Sequence, residues 1–150
     1  MSTTSKVILG SVFLVLGCAI YLLFRSKSLN IYQWCTSLGL STAIDYARNC
    51  VRYWNIPDFI RFSLPDGLYC AAYILIMDAI WLKNDSLTKH IIISIGPLVT
   101  IGIEILQYFG LVKGTFDICD LLFYSVPFVA YYLNKYHLYF KFNYLKIQRL

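Results

Sequence analysis

Charge is scarce in this chain. Asp, Glu, Lys and Arg make up only 14 % of the 150 residues, whereas apolar and aromatic residues make up 59 %. A soluble domain has about a quarter charged and about half apolar residues. The balance therefore excludes an ordinary water-soluble domain and points to a membrane protein. A dense basic run is also missing, despite the net charge of +5. Lys and Arg stand mostly at the ends of apolar stretches, where they anchor helices to headgroups. Nucleic acid is thus not an expected partner, because its recognition needs a basic stripe on a soluble face. The five cysteines include no CxxC pair and no Cys/His cluster, so no zinc site is implied. They read as small hydrophobes. Cys35 and Cys50 share a polar connection, and a disulfide between them requires that connection to face an oxidising compartment. No A-x-A-like site follows the apolar run 7–24, so that run reads as a retained anchor rather than a signal peptide. Internal repeats and low-complexity stretches are absent.

What is present is four apolar segments, over residues 7–24, 64–82, 91–112 and 118–133. About 20 apolar residues cross a bilayer core of about 30 Å. The second and fourth segments are short and carry Asp78 and Asp120, so each should turn one side to protein. Pro97 and Pro127 lie inside the third and fourth segments, where each removes a backbone hydrogen bond. Between the first two segments, Leu40, Ile44, Ala47, Val51 and Trp54 form one apolar helical stripe, with Asp45, Arg48, Asn49 and Arg52 on the other side. This predicts an amphipathic helix over about residues 31–54 that lies in the membrane interface. Pro57 is expected to close that helix and Pro65 to open the next. The expected fold is an all-α integral membrane protein, one domain over residues 1–150, with four transmembrane helices plus the interfacial helix. The tail from Asn134 to Leu150 reads as an interfacial extension of the fourth span. Four spans put seven basic residues on the side of the termini. Arg25, Lys27, Arg48, Arg52, Arg61 and Lys113, six in all, fall on the other. These counts set no orientation by the positive-inside rule.

Topology alone gathers the polar residues. Asp66 opens the second span, Glu104 and Gln107 end the third, and Asp117 and Asp120 open the fourth. All five fall on one side of the bilayer. Glu104 and Gln107 are three apart and share a helix face, as do Asp117 and Asp120. Asp117 is placed to cap the fourth span, and Gly114 suits the turn before it. Two readings follow: a polar pocket open to one membrane surface, or a hydrogen-bonded cluster that locks helices together. Asp78 lies about 18 Å from Asp66 along the helix, and Lys83, Lys89 and His90 are its expected partners.

The run EILQYFGLVKGTFDICDLLFY, residues 104–124, resembles the signature of VanZ-like membrane proteins. In that signature a Glu and a Gln three apart end one span, and two Asp three apart open the next. Glu104, Gln107, Asp117 and Asp120 match it, and PDGLYCAAY, residues 65–73, looks like the family's motif at the start of the preceding span. The likeness covers residues 65–132. Gly67, Cys70, Lys113-Gly114 and Phe123-Tyr124 depart from the family pattern, which marks a divergent member. The resemblance implies a multi-pass protein of the bacterial plasma membrane, with a cell-envelope role linked to glycopeptide resistance.

Three functions compete. The first is a VanZ-like protein whose acidic cluster engages a lipid or cell-envelope ligand. The second is a non-catalytic accessory subunit of a larger membrane complex, suggested by the 17 % aromatic content. The third is an intramembrane enzyme with Glu104 or Asp120 as acid, base or ligand to a divalent cation. It is the weakest, because no nucleophile stands beside a base. Membrane lipids and other membrane subunits are the expected partners. No cofactor or metal is expected, and the residues assign no catalytic group.

Overall fold

A chain this apolar must close its backbone hydrogen bonds within its own segments, and it does so as helices. The computed structural model describes residues 2–81 and 86–147, with side chains as far as residue 137. Among the described residues there are six helices and no strand: α1 (Thr3–Phe24), α2 (Asn30–Ser37), α3 (Ser41–Cys50), α4 (Asp58–Ile80), α5 (Leu87–Tyr108) and α6 (Ile118–Ile147). By length and composition α1, α4 and α5 can each cross a membrane. The chain is therefore an all-helical protein with the character of an integral membrane protein. Lys83 and the side chains of the tail beyond His137 lie outside the described residues.

Helix α4 is the centre of the fold and touches α1, α5 and α6. It can do so because its sequence is rich in small residues. Gly67, Cys70, Ala72 and Ala79 are buried along it, and small side chains let helix backbones approach closely. Ile76 and Tyr69 of α4 in turn lie against Gly10 and Gly17 of α1. The closest approach is at Gly67, where an added Cβ would stand 2.8 Å from Phe123 Cδ1 and 3.0 Å from the Phe123 carbonyl oxygen. Helix α1 runs antiparallel to α4, so Lys6 meets Asp78 and Arg25 meets Asp66. Helix α5 is also antiparallel, with the Tyr73 hydroxyl donating to the Ile92 carbonyl at 2.5 Å. Ile93 of α5 is wholly buried and packs with Cys70, Ile74 and the partly buried Tyr124 and Phe128. The outer faces of α1 and α5 stay uncovered, with Val7, Ile8, Val12 and Val15 on one and Ile91, Ile95, Leu98 and Val99 on the other.

Three local expectations change. The single amphipathic helix over residues 31–54 is two helices, α2 and α3. Gly39 breaks it at φ +75°, a left-handed conformation that side chains disfavour. The Gly39 amide donates to the Thr36 carbonyl at 3.0 Å, and the Leu40 amide donates to Cys35 at 2.9 Å, which closes α2 in a Schellman arrangement. Pro57 does not end the interfacial helix but precedes α4, and Pro65 lies inside α4 rather than at its start. A proline costs one backbone bond, a loss that neighbouring helices make tolerable in membrane segments. Cys35 and Cys50 are free thiols on separate helices.

The α2–α3 pair is latched to the end of α1. The Arg48 guanidinium donates to the carbonyls of Leu22 at 2.7 Å and Arg25 at 2.9 Å. These are the acceptors that a helix end leaves unpaired, and a cation there also complements the helix dipole. Lys27 pairs with Asp45 at 2.7 Å, and the Tyr32 hydroxyl donates to the same carboxylate at 2.7 Å. The Lys27 ammonium, then the Tyr32 hydroxyl, hold Asp45 below its ordinary pKa of 3.8. Asp45 in turn raises Lys27 above its ordinary 10.5. A lowered carboxylate stabilises the fold above its ordinary value and loses that effect as pH falls through the lowered one. A raised amine does the reverse at high pH. The latch should therefore be insensitive to pH between about 5 and 9 and loosen in acid below 3.8. Backbone amide protection in α2 and α3, compared at pH 3 and pH 6, checks this. The pair is half exposed, so high salt should also weaken it.

Candidate functional site

The acidic end of the bundle is built where α1 ends, α4 begins, and α5 hands over to α6. Residues 109–117 form a short connection. Gly110 and Gly114 have positive φ, and the Gln107 side chain lies directly against Gly114. Gln107 therefore braces the turn rather than joining the carboxylates. Asp117 stands just before α6, and its Oδ1 accepts from the Cys119 amide at 2.8 Å. Glu104 is 7 % exposed, and its Oε2 accepts from the Asp117 amide at 3.4 Å. Both carboxylates thus sit at the positive end of α6 and satisfy N–H groups that the helix leaves free.

Asp66 and Asp120 are placed differently. Asp66 lies 3.9 Å from the Arg25 guanidinium and within interaction range of the Tyr124 hydroxyl, Asp120 and Glu104. Arg25 is itself held over the rings of Tyr21 and Phe62, at 4.7 and 5.1 Å. Asp120 Oδ1 is buried and has no partner. Among the described residues, four buried side-chain polar atoms lack a partner: Asp120 Oδ1, Arg25 Nε, Arg61 Nε and Ser63 Oγ. All four belong to this one end. A buried polar group left unmatched costs about 1–3 kcal/mol, so the end combines one acceptor with several donors whose bonding capacity is unused. No three His, Cys, Asp or Glu side chains among the described residues are arranged to hold a metal ion.

The structure thus brings Asp66, Glu104, Asp117 and Asp120 together and sets Gln107 aside. It also adds Arg25, Arg61, Ser63 and Tyr124, which hydropathy reading passed over. Arg25 could have been suspected, since it directly follows the first apolar run and that end faces the start of the second.

Asp78 forms a second polar centre at the opposite end. Its Oδ1 receives the Lys89 ammonium at 2.7 Å and the Tyr131 hydroxyl at 2.9 Å, and its Oδ2 receives Lys6. One carboxylate thereby joins α4 to α1, α5 and α6. Of its expected partners, Lys89 is present. His90 instead meets Lys135 at 2.6 Å and the Tyr132 hydroxyl at 3.4 Å. Lys6 was unforeseen because it lies 72 positions away in the chain.

No protein-family model matches the chain, and neither a curated protein nor a solved structure matches it.

Proposed function

We propose that the chain is a divergent VanZ-like protein of the bacterial plasma membrane, with α6 as a fourth span, whose acidic end binds a lipid-borne cell-envelope ligand. The observation that carries this reading is the set of unmatched buried polar atoms around Asp66 and Asp120. Glu104 and Asp117 are occupied with the start of α6. Asp120 is then the acceptor left for a ligand hydroxyl or ammonium, and Arg25, Arg61 and Ser63 are the donors. A headgroup offering both kinds of group fits this end, and buried ionisable groups in membrane segments are costly enough to favour a working role.

Asp120→Asn removes the acceptor charge without touching the helix cap. Expressed in a bacterium, it should leave the unfolding temperature near that of the parent and abolish any change in teicoplanin susceptibility that the parent confers. Asp117→Asn and Glu104→Gln should lower the unfolding temperature as well. If Asp120→Asn reduces only stability and leaves the phenotype intact, the cluster is a helix lock.

A second reading, a non-catalytic subunit of a larger membrane complex, is favoured by the uncovered apolar faces of α1 and α5. Purification in mild detergent separates the two, because a stoichiometric protein partner supports the subunit and a monomer opposes it.

A further inference from the structure

Resting on the lipid reading above, we infer that the ligand's headgroup carries a primary ammonium, held where α4 meets α6 by Asp120, Ser63 and the Phe123 carbonyl. Helices α4 and α6 run parallel, since Asp66 lies beside Tyr124 and Asp78 beside Tyr131. They touch at Gly67 and Phe123. Ser63 stands four residues before Gly67, and Asp120 three before Phe123. Each therefore shares the face of its contact residue, one turn nearer the membrane surface. Ser63 is fully buried and its hydroxyl has no partner, and the buried Asp120 Oδ1 is likewise unmatched. Two unmatched oxygens thus stand at one level on neighbouring helices.

The Phe123 carbonyl supplies a third acceptor. It lies 3.0 Å from where a Gly67 Cβ would stand, so it faces α4. Pro127, four residues on, has no N–H to give it. A primary ammonium has three N–H donors and no acceptor. Carboxylate, hydroxyl and carbonyl match it one for one, and the Ser63 hydrogen stays available for donation. Charge favours the same occupant. Among the groups that act on Asp66, the Arg25 guanidinium stands against two carboxylates, Asp120 and Glu104. A cation is therefore drawn to this end.

The neighbouring guanidiniums suit the other half of such a headgroup. Arg25 and Arg61 both rest on the Phe62 ring, at 5.1 and 5.8 Å, one residue from Ser63. Guanidinium is the natural partner of a phosphate. A phospholipid that ends in a primary amine presents both charges together. Asp120 lies in the first turn of α6 and is half-buried, so a headgroup reaches its inner oxygen from the membrane surface. A trimethylated ammonium carries the same charge but no N–H, and leaves all three acceptors unmatched.

The test is native mass spectrometry of the full chain in detergent, titrated with dioleoyl phosphatidylethanolamine and, separately, with dioleoyl phosphatidylcholine. The two lipids differ only in the methyl groups on nitrogen. Phosphatidylethanolamine should be retained preferentially. Asp120→Asn should erase the preference and weaken retention about tenfold, the effect of one hydrogen bond to a charged group. Ser63→Ala should weaken retention about fivefold and leave the unfolding temperature unchanged or higher, because it removes an unmatched buried hydroxyl. Equal retention of the two lipids overturns the inference, as does retention that Ser63→Ala leaves intact. So does competition by free ethanolamine as strong as that by the whole lipid, which would mark a site for a soluble amine. The teicoplanin phenotype separates this from the underlying reading. If Asp120→Asn abolishes the phenotype but the parent shows no lipid preference, the ammonium alone is defeated. If the phenotype also survives Asp120→Asn, both are.

Discussion

Asp78→Leu should destabilise the folded bundle by about 3–5 kcal/mol, the usual cost of removing one partner from a buried ion pair. Asp78 is 5 % exposed and Lys89 is 7 % exposed. Without the carboxylate, the Lys89 ammonium is stranded, because its side chain is buried and the salt bridge to Asp78 is gone. Lys6 is better off, since it lies in the first turns of α1 and its long stem can carry the charge outward. This asymmetry makes the prediction specific. Asp78→Leu combined with Lys89→Leu should recover most of the loss, whereas Asp78→Leu with Lys6→Leu should recover little. Thermal unfolding in detergent, followed by circular dichroism, measures all four proteins. Equal recovery by the two double variants would contradict the account. The Tyr131 hydroxyl, which also donates to Asp78, should matter less, because a hydrogen bond to a charged group contributes about 1.5–3 kcal/mol.

Gly67→Leu should act through packing instead of charge, and cost about 1–3 kcal/mol as an overpacked contact. Even the first added carbon would stand within 2.8 Å of the Phe123 ring and 3.0 Å of the Phe123 carbonyl oxygen. A ring can swing aside, but this one already stacks on Phe59 at 6.4 Å. The carbonyl belongs to the backbone, so α6 must move away from α4. Asp66 adjoins Gly67 and Asp120 lies one turn before Phe123, so the acidic cluster opens with the helices. Gly67→Ala is the milder form of the same test. Pairing it with Phe123→Ala should restore only part of its stability, because the ring is removed and the carbonyl stays. Full restoration would show that the ring alone set the distance. Unfolding temperatures of the single and double variants decide it.

These two sites differ in how far they could be read before the fold was known. The class of the protein was legible, because hydropathy is a sum over neighbouring residues and needs no tertiary contact. So was the gathering of Asp66, Glu104, Asp117 and Asp120, since antiparallel order alone returns the end of α5 to the start of α4. Asp117 as a cap followed from its place before an apolar run. The division of labour within the cluster did not follow. Gln107 matches the spacing of Glu104 on its helix, yet one braces Gly114 and the other binds the start of α6. Which of them turns inward depends on how the connection closes, and spacing does not encode that.

Local signals also misled where two competed. The apolar stripe from Leu40 to Trp54 argued for one helix, but Gly39 relieves the backbone at the point where α2 must turn. Pro65 argued for a helix start, but packing of α4 against three neighbours outweighs one lost hydrogen bond. The sequence by itself determined that the chain is helical and apolar and that its acids gather at one end. Only the tertiary structure decided that Arg25 answers Asp66 and that Lys6 shares Asp78 with Lys89. The reason is distance along the chain: such pairs form only once Gly10, Gly17 and Gly67 have let α1 and α6 close upon α4.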